Sequence, residues 1–128
     1  MSTTIDRTVP ALTVALFERI GWEIRELTID LAAGRAVVRM HRQDGRWLYV
    51  AADSSGRATV ERWQRDRKPT GSGGADVVTD TFLGRTHCLG ARAALRAMAN
   101  YVADNPAPGR TALPRYDVRD VVRLLMNE

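Results

Sequence analysis

Residues 27–65 read LTIDLAAGRAVVRMHRQDGRWLYVAADSSGRATVERWQR, and the phase of the apolar positions in this run decides the fold. Leu27, Ile29 and Leu31 alternate with Thr28 and Asp30, and Ala36, Val38 and Met40 alternate with Arg35, Val37, Arg39 and His41. A period of two is the pattern of strands with one buried face. Turn residues interrupt it where hairpins need them, at Ala33-Gly34, Asp44-Gly45 and Asp53-Ser54-Ser55-Gly56. The run predicts a four-stranded antiparallel meander ending at Arg65.

Register then determines which side chains share a face, because a slip of one residue moves them all to the other side. A two-residue loop at Ala33-Gly34 sets Ile29 against Val38 and Leu27 against Met40. Three-residue loops at Gln43–Gly45 and Ser54–Gly56 set Met40 against Leu48, Val38 against Val50 and Val50 against Val60. One face becomes aliphatic: Leu27, Ile29, Leu31, Ala36, Val38, Met40, Leu48, Val50, Ala52, Ala58 and Val60. The other carries Arg39, His41, Trp47, Tyr49, Thr59, Glu61, Trp63 and Arg65.

Outward from the meander, Leu12, Leu16 and Ile20 recur at fourfold spacing between Pro10 and Gly21, which predicts a helix over 9–20 behind a flexible lead-in at 1–7. Residues 66–76 contain Pro69 and the Gly71-Ser72-Gly73-Gly74 tract, and read as a mobile, basic, Gly-rich loop. A short strand at Val77–Leu83 leads to a long helix from Thr86 to Asp104, with Cys88, Ala91, Leu95, Met98 and Val102 on one stripe. Asp117 caps a short C-terminal helix carrying Val118, Val121, Val122 and Leu125. The expected fold is α+β, a single domain over 1–128, with the meander packed against the long helix.

Composition narrows the function. The 128 residues are 45% hydrophobic and 27% charged, close to globular averages, which argues against wholesale disorder and a coiled coil. One cysteine and two histidines rule out a disulfide scaffold and a Cys/His zinc site. No apolar run approaches the ~20 residues of a membrane span, and Met1–Pro10 lacks the layout of a secretory signal, so a cytoplasmic protein with no membrane partner is expected. The net charge is +4, from eighteen arginines and Lys68 against fifteen carboxylates. Nine of those cations and only four acids fall between Arg35 and Lys68. Such a concentration suits an anionic partner, and guanidinium holds phosphate bidentately.

An aromatic and basic strand face fits single-stranded nucleic acid, whose unpaired bases need flat platforms and whose phosphates need cations. The leading reading is nucleic-acid binding without catalysis, single-stranded by preference, through Arg39, His41, Trp47, Tyr49, Trp63, Arg65, Arg67 and Lys68. No catalytic residue, metal or cofactor belongs to it. The order of antiparallel strands followed by a long helix resembles Whirly-like single-stranded-DNA-binding modules, and the resemblance implies use of such a sheet face. The competing expectation is that helix 9–20, the C-terminal helix or a second subunit covers the tryptophans, which are usually largely buried. A homodimer and a protein partner are therefore further candidates, the latter making the chain a small regulator or inhibitor, since Trp, Tyr and Arg are also typical of protein interfaces.

A third reading rests on Asp53 and Asp66-Arg67-Lys68, which resemble the spaced Asp…(Asp/Glu)-x-Lys pattern of restriction-endonuclease-like nucleases. The resemblance implies a divalent metal on the two carboxylates, a lysine beside the attacking water and Glu18 as a further carboxylate. Cys88 after His87 at a helix start invites a reactive thiolate, but its place on the apolar stripe makes it a core thiol.

Overall fold

The computed structural model describes residues 4–5, 11–71 and 73–126. Its elements are β1 (Thr4–Ile5), α1 (Ala11–Arg19), β2 (Trp22–Asp30), β3 (Arg35–Arg42), β4 (Arg46–Ala52), β5 (Arg57–Lys68), β6 (Val77–Leu89), α2 (Ala91–Asp104) and α3 (Arg115–Leu125). The strands lie in the sheet in chain order. β2 to β6 form a five-stranded antiparallel meander, and β1 adds a two-residue parallel pairing at the β2 edge. The α+β class is that of the sequence reading, and the strand count is not.

The aliphatic face carries the core. Leu27, Val38, Met40, Leu48, Val50 and Val60 are buried in one cluster with Phe17 of α1 and Ile20 just after it, Leu95, Met98 and Val102 of α2, and Val118 and Val122 of α3. All three helices thus feed one side of the sheet. Each large buried aliphatic side chain contributes about 1.5–3 kcal/mol, so the phase of the strands is held by most of the protein's hydrophobic burial. Among the described residues no helix covers the opposite face, where most side chains remain half-exposed.

The pairs Met40↔Leu48, Val38↔Val50 and Val50↔Val60 are those of the structure. The first hairpin differs: Leu27 faces Val38 and Ile29 faces Ala36, because Leu31–Gly34 make a four-residue turn. That shift is by two residues, so it leaves the faces unchanged. A bulge at Arg25 then carries Trp22 and Ile24 onto the core side with Leu27. Trp22 is only 1% exposed, and its Nε1 donates to the Asn105 carbonyl at 2.8 Å, as a buried indole N–H requires.

Four further expectations are corrected. β5 runs on to Lys68, so Asp66, Arg67 and Lys68 are ladder residues paired with Thr79, Val78 and Val77 rather than loop. β6 is 13 residues long and takes in Thr86–Leu89, so the long helix begins at Ala91 and Cys88 belongs to a strand. Gly90, at φ 93, makes the break between the two. Within the proposed lead-in, Thr4–Ile5 is a strand, and the rest of 1–7 lies outside the described residues, as do positions 9 and 10 of the N-terminal helix. The last helix starts at Arg115 behind Pro114, with Asp117 in its first turn instead of at its cap. No helix is long and apolar enough to cross a membrane among the described residues.

Gly45 at φ 100 closes the β3–β4 turn with its own carbonyl accepting from Arg65 N–H at 2.8 Å, and a Cβ there would lie 2.1 Å from the Arg65 carbonyl oxygen. Gly90 has the same left-handed backbone but nothing within 4 Å of an added Cβ. Gly90→Ala is therefore expected to cost about 1–2 kcal/mol of unfolding free energy. Gly45→Ala should cost roughly 1–3 kcal/mol more, because β5 must retreat. Urea denaturation of the two variants measures the difference.

Candidate nucleic-acid interface

Four neighbouring strands each contribute one ring to a row across the uncovered face. The ladder sets His41 opposite Trp47, Trp47 opposite Trp63 and Trp63 opposite Phe82. Directly opposed residues bring their side chains within contact distance, and the rings use it. His41 and Trp47 stack with centroids 5.5 Å apart at 6°, and Trp47 and Trp63 stack at 5.2 Å and 11°. Phe82 meets Trp63 edge-on at 5.2 Å and 69°. The row therefore turns ring edges to solvent, and the flat faces of its inner members are occupied by one another. Bases cannot simply lie on Trp47 and Trp63 as free platforms.

Charges beside the row are largely paired. Arg65 donates from Nε and an Nη to Asp80 at 3.0 and 3.1 Å, Trp47 Nε1 donates to the same carboxylate at 3.0 Å, and the Arg65 guanidinium lies 5.8 Å from the Trp47 ring centroid. Arg65 above all holds the Asp80 carboxyl below the usual range. Glu61 accepts from Trp63 Nε1 at 3.2 Å and from Arg85 at 2.6 and 3.0 Å. Arg39 and Tyr49 stand opposite each other in the next row, both half-buried. Arg67 extends the face toward the exposed end of β5, whereas Lys68, the next residue of the strand, falls on the opposite face and is not brought to the row.

His41 is the buried polar residue of the site, 8% exposed, with no hydrogen-bond partner at Nε2 among the described residues. Desolvation, followed by the positive charges of Arg25, Arg65 and Arg39, lowers its pKa to about 4. The imidazole is thus neutral near pH 7 and behaves as a flat member of the stack. The sequence reading set it among arginines on the aromatic and basic face; the arginines are there, and burial first, with their charges second, keeps the ring neutral.

At the His41 end of the row the sheet opens into a cleft of about 1130 Å³. Six arginines line it: Arg19 from α1, Arg25 from β2, Arg42 from β3, Arg65 and Arg67 from β5, and Arg110. Four acids, Glu18, Glu23, Asp44 and Asp66, line it too. Arg25 pairs with Glu23, Arg42 with Asp44 and Arg65 with Asp80. Arg19, Arg67 and Arg110 have no carboxylate partner among the described residues, although Arg110 also donates to the Glu18 and Arg19 carbonyls at 3.3 Å. Unneutralised guanidinium around a concave, partly desolvated wall is a phosphate-type environment.

The nuclease pattern is not brought together. Asp53 lies in the β4–β5 turn, bonded to Ser55, and Asp66 lies nine strand residues beyond the start of β5, about 30 Å away. No group of three metal-ligating side chains occurs among the described residues. Cys88 faces the core from β6, and burial pushes its thiol pKa up, which disfavours thiolate. Phe82, Asp80 and Arg85 complete the face and were not among the expected site residues. Their signal was the alternation of Val78, Asp80 and Phe82 within a strand taken to be short. Arg19, Arg25 and Arg110 reach the cleft only through tertiary packing. No family model, curated protein or solved structure matches this chain.

An unfolded histidine titrates near 6.5 and His41 in the fold near 4, so the native state binds fewer protons between those values. Its contribution to stability is complete above pH 6.5 and lost as the pH falls toward 4, by at most about 3 kcal/mol. Chemical denaturation across that window is expected to show the loss, and His41→Phe, which keeps a ring in the stack, is expected to flatten it.

Proposed function

We propose that the protein binds single-stranded nucleic acid without chemistry, along the uncovered sheet face and into the arginine-lined cleft at its end. The observation that carries this is the adjacency of two environments: three arginines without a carboxylate partner among the described residues, and an uncharged, edge-exposed aromatic row starting at His41. Phosphates are held by Arg19, Arg67 and Arg110, as guanidinium suits phosphate geometry. Bases meet ring edges and the Arg39–Tyr49 row. Because the indole faces are engaged with each other, phosphate contact contributes most of the affinity and base identity contributes little. Arg65 is more a brace for Trp47 than a free phosphate ligand, since Asp80 engages it at two nitrogens.

Trp47 next to His41 supplies the readout. Titration with a single-stranded oligonucleotide at low salt is expected to quench tryptophan fluorescence, with affinity falling steeply as salt rises. Each phosphate contact on a single strand contributes about 0.7 to the slope of log affinity against log salt. Arg19→Ala/Arg67→Ala should therefore lower that slope by roughly 1.4 while leaving the fold intact, both side chains being exposed. Wild-type affinity and slope in this variant, with DNA and RNA alike, would sink the proposal.

A further inference from the structure

Among the described residues, five of the eight large apolar side chains left exposed belong to one strand: Val77, Val78, Phe82, Leu83 and Leu89 of β6. β6 is also the longest strand, 13 residues, and it is paired on one side only, with β5. An open edge is a row of unpaired backbone N–H and C=O groups, which proteins commonly protect by shortness, lysine or proline. The far edge follows that practice, β1 having two residues. β6 contains neither lysine nor proline, and among the described residues no strand pairs with its outer edge, along which all its residues but Gly84 and Cys88 are exposed.

We propose that β6 pairs antiparallel with β6 of a second copy of this chain, joining the two meanders into one continuous sheet. The occupant is chosen by the charges on the strand. Asp80 and Arg85 are its only two ionic side chains, of opposite sign and placed on either side of the bulge at Leu83. Asp80 and Phe82 stand opposite Arg65 and Trp63, and Arg85 and His87 opposite Glu61 and Thr59, so all four share the aromatic face. A two-fold axis normal to the sheet sets residues of like face against each other. The register that opposes Asp80 to Arg85 of the partner subunit keeps every face in phase. It sets Phe82 against Leu83 of the partner subunit at the axis, so the bulge, the one irregularity of the edge, falls at the centre of symmetry.

In that register the existing ion pairs Arg65–Asp80 and Glu61–Arg85 become one alternating row: Arg65, Asp80, Arg85 of the partner subunit and Glu61 of the partner subunit, repeated by the axis. A foreign strand of single charge sign would match only half of it. The pairing covers Phe82 and Leu83 and leaves the arginine cleft open, since the cleft lies at the other end of the aromatic row. The dimer is independent of nucleic-acid binding and is tested without an oligonucleotide.

Sedimentation of the 128-residue chain alone is expected to give twice its 14.2 kDa mass. Phe82→Lys/Leu83→Lys is expected to sediment as a monomer with unchanged far-ultraviolet circular dichroism. Independently, Thr79→Cys/Thr86→Cys in a Cys88→Ser background opposes each new cysteine to the other in the partner. Within one strand the two positions are about 23 Å apart, so a disulfide between them must join two chains. Oxidation is expected to yield covalent dimer. A wild-type monomer across the soluble concentration range overturns the proposal, as does a dimer that survives the lysine pair. Should the lysine variant not fold, absence of covalent dimer in the cysteine variant overturns it alone.

Discussion

Burial of one side of the meander under the helices is the constraint from which the other features follow. Leu27, Val38, Leu48, Val50 and Val60 are all buried in one cluster, so each strand has a single permitted phase. Once those residues point inward, His41, Trp47, Trp63 and Phe82 have to point outward, and the ladder brings them into one row. The rings then stack because strand spacing leaves them little else to do: neighbouring strands lie about 4.8 Å apart, close to the ring separation observed. The aromatic row is thus a by-product of aliphatic packing.

The arginines divide by what surrounds them. Arg42 lies over Trp22 and pairs with Asp44, Arg46 donates to the Tyr101 hydroxyl at 2.6 Å, and Arg115 pairs with Asp104. These are structural cations, holding helices and turns to the sheet. A basic isoelectric point of about 10.0 therefore says less about a partner than the placement of individual guanidiniums, of which Arg19, Arg67 and Arg110 line the cleft without a carboxylate partner among the described residues. Exposed ion pairs of this kind contribute at most about 1 kcal/mol each, so their main effect is to fix orientation.

The middle of the sheet was legible in the sequence because periodicity two, turn residues and one aliphatic face all agree between Val38 and Val60. The edges were not. Val77–Leu89 resembles a strand only in its first half, and Cys88 aligns by spacing with the apolar stripe of α2; the positive-φ backbone of Gly90 that separates them is a tertiary fact. Trp22 was hidden by the Arg25 bulge, which reverses the alternation within β2. Charge concentration pointed to the central third, whereas the cleft draws Arg19 and Arg110 from positions 91 residues apart, which no window of sequence can join.

The contacts around Trp22 bear on how the chain closes. Every strand of the meander pairs with its immediate neighbour in sequence, so hairpins can zip locally at little entropic cost. The tie from Trp22 to Asn105 spans 83 residues, and beside it the Ala107 N–H donates to the Ile20 carbonyl at 2.8 Å. Beginning and end of the fold are therefore buttoned together at one seam, which closes a long loop of chain. Loosening it would leave a ribbon of paired strands intact but unsealed, with its greasy underside open to water.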